Sequence, residues 1–244
     1  MDIAAEVERH GTWYHVLELG DGVVTPGYAD LRPLESDALP DSLAGRRCLD
    51  VGTFDGFWAF AMERRGASEV VALDLSDPAE ADMLPTTRAK LERGELDDLV
   101  WGEGFRIAHA ALGSAVRRVE SNVYALTPEL AGGPVDFVLC GTLLQHLRDP
   151  VGALERIRAA LVPGGEVVVV ETVINAPRAM RGRPYAEFRG HRGGGLYTWW
   201  VASDEGLADW LATAGFEAIA PLARHDLPVL AKGHRLAVVR ATAP

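Results

Sequence analysis

Arg47-Cys48-Leu49-Asp50-Val51-Gly52-Thr53-Phe54-Asp55-Gly56-Phe57-Trp58-Ala59-Phe60-Ala61, running on to Val70-Val71-Ala72-Leu73-Asp74-Leu75, is the stretch whose reading decides the fold. A short apolar run, Cys48 to Val51, stops at Gly52; helical spacing follows from Phe57 to Arg65; a second apolar run, Val70 to Leu73, stops at Asp74. The pattern predicts strand, tight turn, helix, strand. Gly52 and Gly56 lack side chains that would hold a ligand off the backbone, and the helix start beyond them offers unpaired N–H groups. Asp74, at the end of the second strand, is placed to accept the hydroxyls of a ribose.

Two ligand classes use such a turn. A dinucleotide needs Gly-x-Gly-x-x-Gly so that its pyrophosphate can approach, and Phe54 fills the middle position here. A nucleoside joined to an amino acid has no phosphate to cradle and needs instead the turn backbone and an acid such as Asp50. Asp50-Val51-Gly52-x-x-x-Gly56 with an acid after the next strand resembles the class I S-adenosylmethionine-dependent methyltransferases. The resemblance implies a Rossmann-like α/β fold: a mostly parallel seven-stranded sheet with an antiparallel edge strand and helices on both faces. It implies S-adenosylmethionine as cofactor, held by Asp50, Gly52, Thr53, Phe54, Gly56, Asp74 and Leu75 and by Cys140 and Gly141 at the end of the fourth strand. Ser121, Asn122 and Val123, at the exit of the third strand, would face the adenine. Asn122 is placed either to hydrogen-bond the base edge or to serve a surface turn.

The 244 residues suffice for one large α/β domain, and 48% hydrophobic with 24% charged residues describes an ordinary globule. We expect residues 1–41 to form an N-terminal segment covering the active site and 42–244 the methyltransferase domain. No apolar run reaches membrane-span length and the N-terminus lacks the pattern of a secretory signal, so no membrane partner and a cytoplasmic location are expected. Cys48 and Cys140 fall in buried strands and read as reduced packing thiols; without Cys-x-x-Cys spacing they make no zinc site, and no metal is expected. A net charge of −11 disfavours a general affinity for phosphate backbones.

Ahead of the first core strand, Asp21-Gly22 marks a hairpin turn and Pro26-Gly27 another. Trp13, Tyr14 and His15 stand just before them, either as pocket residues or as an aromatic cluster packing the segment down. Phe105 to Val116 reads as a helix, Val135 to Gly141 as a central strand, and Val151 to Leu161 as a helix closed by Pro163-Gly164-Gly165. Glu166 to Ile174 follows as the fifth strand, and Phe216 to Leu222 with His234 to Arg240 as a closing hairpin. Residues 176–201 are expected to form a lid or substrate insertion. They hold Arg178, Arg181, Arg183, Arg189 and Arg192 against one acid, Glu187, with Gly193 to Gly195 beside Tyr197, Trp199 and Trp200. Arg192, Tyr197, Trp199 and Trp200 join Trp13 and Tyr14 as candidate substrate residues; a solvated arginine-bearing loop is the other reading.

The whole chain offers a narrower match. Trp13-x-His15, Gly22-Val-Val-Thr-Pro-Gly27, the glycine turn, Arg65-Gly-Ala, Cys140-Gly-Thr-Leu-Leu-Gln-His-Leu-Arg-Asp-Pro150 and Ala214-Gly-Phe together resemble the methyltransferase family that includes the enzymes modifying wobble uridine in tRNA. Within that family the carboxymethyl transferases hold a carboxylated cofactor with an upstream lysine and a tyrosine before the histidine. This chain has no lysine before Lys90 and carries Gln145 at the tyrosine position. Ordinary methyl donation to a small molecule, at the oxygen of a secondary metabolite, is therefore the expectation, with tRNA methylation or an inactive cofactor-binding partner subunit as alternatives. His146 is the first candidate base, since it follows the fourth strand and an imidazole titrates near neutrality; a structural bond to Asp149 or backbone is its other reading. His15 is the second candidate and His191 the third.

Overall fold

The computed structural model describes residues 2–95, 101–190, 197–227 and 234–244. In chain order the helices are α1 (Ile3–His10), α2 (Glu35–Ala38), α3 (Phe57–Arg64), α4 (Pro85–Glu92), α5 (Glu103–Leu112), α6 (Pro150–Ala160) and α7 (Asp204–Thr213). The strands are β1 (Arg47–Val51), β2 (Glu69–Asp74), β3 (Arg117–Glu120), β4 (Val135–Gly141), β5 (Leu161–Ile174), β6 (Ala186–Phe188), β7 (Trp200–Ala202), β8 (Glu217–His225) and β9 (His234–Thr242). None of these helices is long and apolar enough to cross a membrane.

One sheet organises them. Strands β3, β2, β1, β4 and β5 lie side by side and parallel, β9 runs antiparallel along β5 from Glu166 to Ile174, and β8 pairs antiparallel with β9. The closing hairpin thus supplies the expected antiparallel element, and β6 and β7 raise the sheet to nine strands. Strand β7 pairs with β5 at Val173 and Ala202. Since β9 holds one edge of β5 and β4 leaves the other at Val170, β7 takes up the edge just beyond the end of β4. That puts the β6–β7 hairpin over the carboxyl end of the sheet.

Strand periodicity divides the core in two. Cys48, Val70, Ala72, Phe137, Leu139, Val168 and Val170 pack on the face shared with α3, α5 and the N-terminal segment. Leu49, Val51, Val71, Leu73, Val138, Cys140, Val167 and Val169 pack on the face shared with α6 and α7. This alternation, with both faces covered, is what a parallel sheet requires. It also sends Cys48 and Cys140 to opposite faces, and both are free thiols.

Two boundaries differ from the expectation. Helix α5 stops at Leu112 rather than Val116, because Gly113 adopts φ 59° and its N–H turns back onto Ala110 and His109. Pro163-Gly164-Gly165 lies inside β5 rather than closing α6: Val135 pairs with Leu161 and Phe137 with Glu166, so the extra residues are extruded as a bulge.

Candidate functional site

The carboxyl ends of β1, β2 and β4 open into a cleft of about 240 Å³, walled on its far side by the N-terminal segment and by Tyr197. Its floor is the glycine turn. Gly52 has φ 77° and Phe54, at φ 47°, takes a left-handed conformation without being glycine. Thr142, after β4, does the same at φ 48°. Both strained residues line the cleft, where such strain is ordinarily tolerated for function.

Two carboxylates shape the turn. Asp50 lies beneath it, fully buried, and its Oδ2 accepts Thr53 Oγ1 at 2.7 Å and the Ala59 amide at 3.0 Å. Oδ1 has no partner, and burial pushes the carboxyl up to about 7. Asp74 does line the cleft; its Oδ2 accepts the Phe54 amide at 2.6 Å and its Oδ1 the Leu75 amide at 2.7 Å. Each oxygen keeps acceptor capacity for a further donor such as a sugar hydroxyl.

A third carboxylate, Asp55, joins the turn to the N-terminal segment. Its Oδ2 accepts the amides of Tyr14 at 2.8 Å and His15 at 3.0 Å, drawing both side chains into the wall of the cleft. The segment is fixed again where Gly27 crosses it: a Cβ there would stand 2.1 Å from the carbonyl carbon of His15. The crossing is bonded by Val16 N–H to Ala29 O and Ala29 N–H to Tyr14 O. This accounts for the joint presence of Trp13-x-His15 and Thr25-Pro26-Gly27 in the sequence. The tight turn at Asp21 and Gly22 closes between Leu19 and Val23.

The opposite end of the cleft is built on His146. It lies in the 3-10 turn Leu144–His146, whose Gln145 amide donates to Glu171 Oε2 at 3.3 Å. Glu171 is buried, accepts its neighbour Thr172 N–H at 2.8 Å, and is pushed by burial up to about 7. The His146 Nδ1 lies 2.9 Å from the Tyr197 carbonyl oxygen. A carbonyl only accepts, so Nδ1 carries the proton and Nε2 is left with its lone pair. Burial lowers the His146 pKa below the usual histidine value, partly opposed by that bond. Tyr14 Oη stands 3.3 Å from Thr142 Oγ1, and Tyr14 and Tyr28 meet edge to face at 4.8 Å.

The structure gathers His146, His15, Tyr14, Tyr197, Gly52, Phe54, Asp74, Leu75, Ser121, Asn122, Val123 and Gly141 around this one cleft. It keeps others off the wall. Asp50, Thr53 and Cys140 support it from the buried interior. Gly56 is glycine because a Cβ would lie 2.4 Å from the Phe60 ring. The Trp13 indole donates to the Val7 carbonyl at 3.2 Å and packs the segment. Trp199 is corrected from substrate residue to roof: its indole N–H bonds the Asp82 carbonyl, and Arg148 lies 4.8 Å over its ring. Trp200 donates to the Arg148 carbonyl at 3.2 Å. Asn122 lines the cleft and also serves the turn, its Oδ1 accepting the Tyr124 amide and its Nδ2 donating to Glu80 O. His146 makes its bond to the Tyr197 backbone rather than to Asp149, which caps α6 through the Gly152 amide. Arg192 and His191 lie outside the described residues.

Sequence reasoning missed Tyr28, Trp101, Asp82, Met83 and Thr142 in the wall and Asp55 behind it. Only Asp55 had a visible signal, an acid one residue before the second turn glycine. Among the described residues no His, Cys, Asp and Glu group could hold a metal ion.

A family model described as a methyltransferase domain matches residues 28–220. The tRNA U34 carboxymethyltransferase of Methylococcus capsulatus is 30% identical over 190 residues, 76% of this chain and 48% of that protein. The ubiquinone biosynthesis O-methyltransferase of Marinobacter nauticus is 30% identical over 152 residues, 62% of this chain and 54% of that one. This chain thus spans about half the length of the curated relatives it matches. The crystal structure of the N-terminal domain of EvdMO1, in the presence of SAH and D-fucose, superposes with a TM-score of 0.61 at 20% identity, covering 100% of this chain and 98% of that one. At that identity the likeness concerns the fold.

Proposed function

This chain belongs to the methyltransferase-domain family and has the class I S-adenosylmethionine-dependent fold, and from that premise we propose that it methylates an oxygen of a small-molecule acceptor, a secondary metabolite, using S-adenosylmethionine. The residues present fit that cofactor. Asp74 keeps acceptor capacity at the end of β2 for ribose hydroxyls; Leu75, Ser121 and Val123 line the same end for a base; Gly52 leaves the turn backbone open. The cofactor, when bound, supplies a methyl group activated by its positive sulfur. The protein's part is to align donor and acceptor and to exclude water.

One observation carries the choice of oxygen. Burial favours the neutral form of His146, its Nδ1–H is spent on the Tyr197 carbonyl, and among the described residues its Nε2 makes no hydrogen bond. That is the tautomer of a general base, able to take the proton of an acceptor hydroxyl at Nε2. Tyr14, Tyr28, Thr142 and Tyr197 surround it with rings and hydroxyls, and neither lysine nor arginine lines the cleft among the described residues, which favours an uncharged, compact acceptor.

His146→Ala should lower turnover by about two to four orders of magnitude with labelled cofactor and a panel of hydroxylated aromatics, while cofactor affinity holds. In the wild type the acid limb of the rate profile should fall below pH 6.5, because burial holds the imidazole neutral. A loss under tenfold, or an acid limb above that pH, refutes the assignment. The likeness to tRNA U34 carboxymethyltransferases favours one second reading, an RNA acceptor. That reading requires salt-sensitive binding of tRNA, which a filter assay at two ionic strengths decides.

A further inference from the structure

His15 presents an unusual combination. Its residue is 4% exposed, its side chain lines the cleft, and its Nδ1 has no hydrogen-bond partner. The nearest acid, Asp55 Oδ2, stands 3.9 Å from Nδ1, and that oxygen is already spent on two backbone amides. One polar nitrogen of a buried ring, Nδ1, therefore goes unsatisfied, at a cost a folded protein normally avoids unless a ligand completes it.

The position of the ring says which part of a ligand that is. Asp55 ties the His15 backbone to the glycine turn, and the imidazole sits 5.7 Å from the ring of Phe57, the first residue of α3. This is the β1 end of the cleft, beside Gly52 and remote in the fold from the Leu75, Ser121 and Val123 end. Burial pushes the His15 pKa down to about 3, so the ring is neutral, with one N–H and one lone pair. A zwitterionic α-amino-acid head carries an acceptor carboxylate and a donor ammonium, the complement of that pair.

Resting on the methyltransferase reading above, we propose that His15 is a binding residue for the amino-acid head of the cofactor, hydrogen-bonding it through its unpartnered Nδ1. The test is calorimetric titration with two probes, S-adenosylhomocysteine and adenosine, which differ by that head. His15→Phe should weaken S-adenosylhomocysteine by about 10- to 100-fold and leave adenosine within about threefold. His15→Gln, whose amide still donates and accepts, should recover part of the loss. The adenosine affinity reports that each variant keeps its fold. Equal losses for both probes, or S-adenosylhomocysteine affinity unchanged in His15→Phe, overturn the assignment. A wild-type chain that binds neither probe overturns the methyltransferase reading, and this inference with it.

Discussion

Replacing Asp55 by alanine tests how the N-terminal segment is held. The substitution removes one buried oxygen that accepts two amides, Tyr14 N at 2.8 Å and His15 N at 3.0 Å. Each orphaned buried N–H costs about 1–3 kcal/mol, so the variant should lose about 2–6 kcal/mol of unfolding free energy. The loss should depend on pH. Burial raises the Asp55 carboxyl from 3.8 to about 6, against the two amide bonds that lower it. The folded chain therefore binds this proton more tightly than the unfolded chain. Its contribution is full below about pH 4 and disappears as pH rises through about 6. Between pH 5 and pH 8 the wild type gives up about 1 kcal/mol that the alanine variant never had. Urea unfolding at those two values should show the larger destabilisation at pH 5, and Asp55→Asn, which keeps an acceptor oxygen, should stay close to wild type with no such dependence. A loss below about 1 kcal/mol at pH 5, or a larger loss at pH 8, refutes the reasoning.

Asp74→Ala should weaken S-adenosylhomocysteine binding by at least about tenfold in calorimetry, since a charged acceptor of hydrogen bonds is removed from the cleft; unchanged affinity sinks its assignment to the ribose. Glu171→Ala should slow turnover by about tenfold or more at unchanged S-adenosylhomocysteine affinity, because the carboxylate acts on the turn that carries His146. Parallel losses in both would place it elsewhere. Gly141→Ala should cost about 1–3 kcal/mol in thermal unfolding and shift tryptophan emission, since the added Cβ would stand 2.6 Å from Trp58 Nε1; a neutral result means the indole can move.

The fold was legible because parallel strands announce themselves as apolar runs ending in glycine or an acid, as at Val51-Gly52, Leu73-Asp74 and Cys140-Gly141. The role of Asp55 was not, despite its place before Gly56, because its partners are main-chain amides some forty residues away and no side-chain pattern encodes such a contact. Trp199 was misplaced for a different reason. An indole at the end of an arginine-bearing loop reads the same whether it faces a ligand or packs on its neighbours, and the structure shows its N–H on the Asp82 carbonyl. Asn122 likewise has one signature for a base edge and for a turn, and the turn took both of its polar atoms. His146 was singled out as a candidate base and lines the cleft, while the identity of its anchor, a backbone carbonyl 51 positions on, belongs to tertiary structure alone.

The pairing of Val173 with Ala202 has a wider bearing. The strand that receives the hairpin also bears Glu171, two positions earlier, and so supports the turn of His146 from the same rod of backbone. Hairpin and His146 imidazole are mounted on a single beam. The same hairpin also supplies the Tyr197 carbonyl that holds the ring, so drift in its sequence is felt at the imidazole, and a shift of the beam itself displaces both at once.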